Sequence, residues 1–149
     1  MNAPDLQRGL PPRWNERVEG IVWLPRLAAK VRAHDAGTLG TYLLGQSPID
    51  DEFLKTTQLD YAQLISIVRA SADDAAVLAA ISAASPDAIE RLRLWSLEMP
   101  VRRRTMLKLI DLDDGYDRPA WLNLPIAAVN AALLGPLMAL ARVVRPLKA

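Results

Sequence analysis

Arg26, Lys30, Arg32 and His34 follow one another closely and run into a glycine-bearing stretch, Gly37-Thr38-Leu39-Gly40-Thr41-Tyr42. Glycines let backbone amides approach a ligand, and nearby guanidinium or ammonium groups pair with phosphate or carboxylate. With Arg17 upstream and Asp50 downstream, the candidate ligand-binding set is Arg17, Arg26, Lys30, His34, Gly37, Gly40, Tyr42 and Asp50, for a small anion. A structure in which Arg17, Arg26, Lys30, Tyr42 and Asp50 converge on one pocket would make this a site. The stretch lacks the Gly-Lys-Ser/Thr ending of a P-loop and follows no strand, so it carries no nucleotide signature. Gly37 also fits the left-handed position after a helix, with basic residues complementing the last turn, and this plain helix end is the favoured reading. A histidine is suited to proton transfer near neutrality, and His34 has Asp35 or Asp50 to orient it, but no nucleophile accompanies it. A surface or capping histidine is the default, and no catalytic residue is assigned.

Asp111, Asp113, Asp114 and Asp117 surround Gly115 and invite a calcium reading. The spacing fails, because an EF-hand starting at Asp111 needs glycine where Tyr116 stands and glutamate where Leu122 stands. With no cysteine and a single histidine, disulfides, thiolate chemistry and multi-histidine zinc are excluded, so neither metal nor cofactor is expected. Arg102, Arg103 and Arg104 could contact phosphates or an acidic partner, yet adjacent residues fan around a helix. Pairing with acids of the same chain is favoured. Trp14, Trp23 and Trp95 read as core residues with an indole N–H seeking a partner, whereas Trp121 borders the apolar tail.

Elements that must hold these residues follow from length and pattern. The chain has 149 residues, enough for one domain that buries about 70% of its unfolded surface. It is 51% hydrophobic but only 5% aromatic, and its formal charge of +1 gives no broad field for nucleic acid. The first thirteen residues read as an extended arm without a secretory apolar run, which implies a cytoplasmic protein. Apolar residues at Trp14, Val18, Ile21, Pro25 and Ala28 predict a helix over 14–31, kinked at Pro25. Residues 35–45 read as a loop. Ser47-Pro48, the capping-box pattern Asp60-Tyr61-Ala62-Gln63, Ser71-Ala72-Asp73-Asp74 and Ser85-Pro86-Asp87 each predict a helix start. Pro100 closes one helix, 101–112 forms the next, and a final helix is expected from about residue 125 to 144. No strand is evident. The expected fold is all-α, a compact bundle of about six to eight helices joined by short loops in a single domain, 1–149.

The run Arg17-Val18-Glu19-Gly20-Ile21-Val22-Trp23-Leu24-Pro25-Arg26-Leu27 brings a resemblance into view. With Lys30, Arg32, the 37–42 stretch, Asp50, Phe53, Leu54 and Ser71-Ala72-Asp73-Asp74, the chain resembles a bacterial family known as domain of unknown function 5069. The likeness covers the first half to two thirds of the chain. It implies a compact helical domain and brings no activity with it.

Residues 119–141 carry no charge, but Pro119, Pro125, Gly135, Pro136, Asn123 and Asn130 lower the case for a membrane span. An exposed apolar surface of that size calls for cover. The leading functional expectation is therefore a non-enzymatic interaction or regulatory module. It would form a homo-oligomer or hold a protein partner through Trp121, Leu124, Leu133, Leu137 and Leu140. The alternatives are an anionic-ligand site or enzyme around Arg26, Lys30, His34 and 37–42, and membrane contact through the tail.

Overall fold

The computed structural model describes residues 3–45 and 47–116. The chain divides into two compact units, Met1–Lys108 and Leu109–Ala149. Within the described residues there are six helices and one small hairpin: β1 Arg17–Val18, β2 Ile21–Val22, α1 Leu24–Asp35, α2 Pro48–Thr57, α3 Tyr61–Ala70, α4 Asp74–Ala84, α5 Ala88–Arg102 and α6 Arg104–Asp114. The fold is thus mostly helical, as the sequence implies.

The hairpin corrects the expectation of a helix from residue 14. Arg17 pairs with Val22 and Val18 with Ile21 in antiparallel register, around Glu19 and Gly20 at φ 48° and 85°. Two successive positive-φ residues make the tight turn whose twist matches paired strands. Val18 and Ile21, three positions apart, satisfy helical spacing and also face each other across this turn, so periodicity alone could not separate the two. Trp23 holds φ 72°, and α1 begins immediately after it with Pro25 in the first turn. There proline costs no hydrogen bond, so it starts the helix instead of kinking it.

Local caps set the next three helices. Ser47 Oγ accepts from the Ile49 amide at the head of α2, and Asp60 and Gln63 form a reciprocal capping box on α3. For α4 the cap is Asp73, accepting from the Ala76 amide, while Ser71 instead closes α3 by donating its hydroxyl to the Ile67 carbonyl. Each such cap is worth about 1 kcal/mol. α5 starts after Asp87 with no side-chain cap and passes through Pro100 to Arg102. This corrects the expected stop at Pro100. Met99 is fully buried, and helical hydrogen bonds resume beyond the proline, from the Arg103 amide to the Met99 carbonyl and from Leu107 to Arg103. Packing of Met99 and Leu107 outweighs the lost donor.

α2 packs on α5, α1 on α3 and α4, and α4 on α3 and α5. Trp23, Leu27, Phe53, Leu64, Ile81, Leu92 and Met99 are among the fully buried side chains. The Phe53 and Trp95 rings meet edge to face at 5.8 Å. The hairpin is tied to α5 by the buried Val22 amide, which donates to Ser96 Oγ at 3.2 Å. The N-terminal arm is only partly extended. Leu6 is buried, its amide donates to the Thr38 carbonyl, and Gln7 Nε2 donates to the Gly37 carbonyl.

α6, described by itself, ends where Gly115 takes φ 90°. The Gly115 and Tyr116 amides both donate to the Asp111 carbonyl, satisfying the last turn.

Candidate functional site

The most concentrated polar chemistry lies beneath the 35–45 loop, around Asp50. Asp50 sits in the first turn of α2, placed there by the Ser47 cap and Pro48, and is fully buried. Four donor contacts converge on its carboxylate. Trp23 Nε1 donates to Oδ1 at 2.8 Å, Lys30 Nζ lies 3.3 Å from Oδ1 and 2.9 Å from Oδ2, and the Gly45 amide donates to Oδ2 at 3.3 Å. Lys30 also donates to the Leu43 carbonyl at 3.0 Å, so this ammonium and this carboxylate hold the loop between α1 and α2. A buried charge pair of this kind is retained only with good geometry and further hydrogen bonds, and here both are present.

Around the pair lies an aromatic shell. Lys30 Nζ is 5.8 Å from the Trp23 ring centroid, and the Arg26 guanidinium carbon is 5.6 Å from Trp23 and 5.9 Å from the Tyr42 ring. Buried Arg26 also donates to the Pro12 carbonyl at 3.2 Å. Gly45, at φ 72°, passes so close to Tyr61 that an added Cβ would stand 2.5 Å from the ring. The Tyr61 hydroxyl is buried and finds no hydrogen-bond partner among the described residues. Burial, then the negative charge of Asp50, pushes this phenol well above its ordinary value and keeps it neutral.

Of the candidate set, Arg26, Lys30, Tyr42 and Asp50 therefore come together, and the others lie elsewhere. Arg17 is exposed and closes the hairpin, donating from Nη1 to the Gly20 carbonyl at 2.7 Å. His34 is exposed near the end of α1, its Nδ1 3.5 Å from Asp35. Gly37 follows α1 at φ 70°, as a helix-ending glycine does. Gly40 lies against the Leu6 and Gln7 backbone of the arm.

Two further ionic features were not evident from motifs. Glu52, on α2, accepts from Trp95 Nε1 at 3.3 Å, Arg102 Nη2 at 3.3 Å and Arg103 Nε at 2.7 Å, with Arg103 Nη2 also engaged. Partial burial raises its pKa, but the hydrogen bonds of Arg103 and Trp95 and the charges of Arg103 and Arg102 outweigh that and leave it below the ordinary value. Two of the three adjacent arginines thus pair within the chain. The second feature is an open cleft of about 370 Å³ beside the carboxyl ends of α1 and α3, lined in part by Arg32, Asp35, Val68, Arg69 and Ala72. Arg32 Nη1 contacts Asp74 at 2.6 Å, while its buried Nη2 has no partner among the described residues. Arg69 grips Asp35 with Nε and Nη2, both at 2.7 Å, and holds that carboxyl below its ordinary value.

Among the described residues no group of three or more His, Cys, Asp or Glu could hold a metal ion, and no helix is long and apolar enough to cross a membrane. Trp121, Leu124, Leu133, Leu137 and Leu140, expected at an interface, lie outside the described residues, as does Asp117.

Among known proteins, no curated sequence matches the chain. A family model, Domain of unknown function (DUF5069), matches residues 11–106. That span runs from the arm through the hairpin, α1 to α5 and the Asp50 cluster into the start of α6, more than half of the sequence. The chain belongs to the DUF5069 family.

Proposed function

We propose that this protein is a non-enzymatic helical module that pairs with a second copy of itself through the outer face of α5. One observation carries the reading: Leu94, Leu97 and Val101 are 55%, 69% and 78% exposed. Their spacing of three and four places them on one line down the helix. Single exposed leucines are ordinary, whereas a continuous line of them marks an interaction surface. The line begins with Glu90 and runs on to Arg104, since helical hydrogen bonds continue across Arg103. Crossing two copies antiparallel at Leu97 sets Glu90 of one copy against Arg104 of the other at both ends. An apolar centre with opposite charges at its two ends is self-complementary, as a two-fold interface requires.

The Asp50 cluster supports the same choice over an anion-binding enzyme. Lys30 is spent on Asp50 and Leu43 inside the protein, and Arg26 is buried, so neither cation is offered at the surface. The uncharged segment 119–141, with Trp121, Leu124, Leu133, Leu137 and Leu140, is in this reading a second surface that calls for a protein partner, taken by itself. A reducing cytoplasmic setting suits a chain without cysteine.

Sedimentation velocity on the full chain tests it. The wild type should sediment as a dimer and Leu97→Glu as a monomer with unchanged circular dichroism. Leu137→Glu measures the share of the tail. A wild type that stays monomeric at concentrations on the order of 100 μM would sink the reading.

A further inference from the structure

The N-terminal arm is seated on the rest of its unit as a ligand would be. Asp5 organises it locally: its Oδ1 accepts from the Gln7 amide at 3.0 Å and its carbonyl from the Gly9 amide at 2.9 Å, so residues 5–9 close into a turn. Leu6 is 4% exposed, whereas Asp5, Gln7, Arg8, Gly9 and Leu10 are exposed. Hydrogen bonds tie this turn to the stretch that follows α1. The Leu6 amide donates to the Thr38 carbonyl at 2.9 Å, Thr38 Oγ donates to the Pro4 carbonyl at 2.9 Å, and Gln7 Nε2 donates to the Gly37 carbonyl at 3.1 Å. Gly40 lets the two backbones close up, since a Cβ there would stand 3.1 Å from the Leu6 carbonyl oxygen.

The receiving surface is built by bonds that do not involve the arm. The Thr38 amide donates to the Ala33 carbonyl at 2.8 Å and the Gly37 amide to the His34 carbonyl at 3.0 Å, which fixes this stretch on the end of α1. The Thr38 hydroxyl also has the Ala33 carbonyl 3.3 Å away to turn to when Pro4 leaves. These residues fall within the span shared with the family, 11–106, and the arm precedes it. A chain end held by one apolar side chain and a few hydrogen bonds must offset the entropy of ordering its own residues, so it opens far more readily than the core. Opening leaves the Leu6 seat and the carbonyls of Gly37 and Thr38 to be met by another chain.

We propose that this surface is a docking site for an Asp-Leu-Gln turn of a partner protein, and that the arm is its built-in competitor. The partner's leucine side chain takes the seat of Leu6, and its main-chain amide donates to the Thr38 carbonyl. The glutamine side chain donates to the Gly37 carbonyl, and the carbonyl two positions before the leucine accepts from Thr38 Oγ. Main-chain bonds supply affinity and the one buried anchor supplies selectivity, a recurring mode of peptide recognition. The site uses none of the residues along the α5 line, and docking here does not depend on self-association.

Fluorescence anisotropy of a labelled peptide with the sequence of residues 3–10 tests the assignment on the full chain. Leu6→Asp, whose own arm is released, should bind this peptide with a dissociation constant at or below the order of 100 μM. The wild type should bind it at least about tenfold more weakly, because its tethered arm competes at an effective concentration on the order of 1 mM. The peptide bearing the same Leu6→Asp change should bind neither chain. Deuterium exchange on the wild type needs no substitution: excess peptide should speed uptake at the chain's own Leu6 amide several-fold by displacing it. Absence of binding up to the order of 1 mM by a Leu6→Asp chain of native circular dichroism, equal binding by the two chains, equal binding of the two peptides, or a Leu6 amide unmoved by peptide would each overturn the proposal.

Discussion

The indole N–H of Trp23 lies 2.8 Å from Oδ1 of Asp50, across 27 positions of sequence. This bond anchors Trp23, whose backbone sits at φ 72°, a conformation a bulky residue adopts only when its surroundings compel it. The carboxylate that holds Trp23 also holds Lys30 and the Gly45 amide, so hairpin exit, α1, loop and α2 share one polar node.

That sharing predicts an ordered series of losses at position 50. Asp50→Ala leaves a buried ammonium, an indole N–H and an amide without their acceptor, and should cost about 3–5 kcal/mol. Asp50→Asn keeps an oxygen for Trp23 and should cost less. Denaturant unfolding of the two variants checks the order, and equal losses would contradict it.

Tyr61 should respond in the opposite sense. Its hydroxyl is buried with no partner among the described residues, so Tyr61→Phe removes an unmet polar group and should stabilise the protein by about 1 kcal/mol. Gly45→Ala, by contrast, drives a methyl into the same ring at a positive φ and should cost about 1–3 kcal/mol. Melting temperatures of the two single variants measure both signs.

Acid should loosen the contact between α2 and α5 through Glu52. Its folded pKa is lowered from 4.5, so the unfolded chain takes up the proton first as pH falls. The stability it contributes is complete above 4.5 and disappears as pH drops through the folded value. Thermal melts between neutrality and acid should show Glu52→Gln losing this part of the pH dependence. An unchanged profile would show that the arginine clamp contributes nothing.

Much of the helical frame was legible because its signals are local. Ser47 and Asp60 cap helices within three residues of themselves, and a cap needs no knowledge of the rest of the fold. The hairpin escaped because strands of two residues are too short to show alternation, and Glu19 occupies a positive-φ position where glycine or asparagine would have announced a turn. Pro100 misled for a related reason, since a proline says where a hydrogen bond is lost but not whether packing of Met99 and Leu107 compensates. Within the candidate site, charge types pointed to Arg26, Lys30 and Asp50. That Lys30 and Asp50 would neutralise each other did not follow, because they meet at a separation of 20, nor did the pairing of Arg32 with Asp74 at 42. Such pairings are products of topology, and one chain read alone carries no record of them.

The bond from the Val22 amide to Ser96 Oγ spans 74 positions, in a fold whose capped helices organise themselves over short stretches of chain. Closing so long a span costs chain entropy that local winding does not, which places docking of the hairpin among the late events of folding. Deuterium should then enter at Val22 only when the whole of the Met1–Lys108 unit opens, making this single amide a reporter of its cooperative melting.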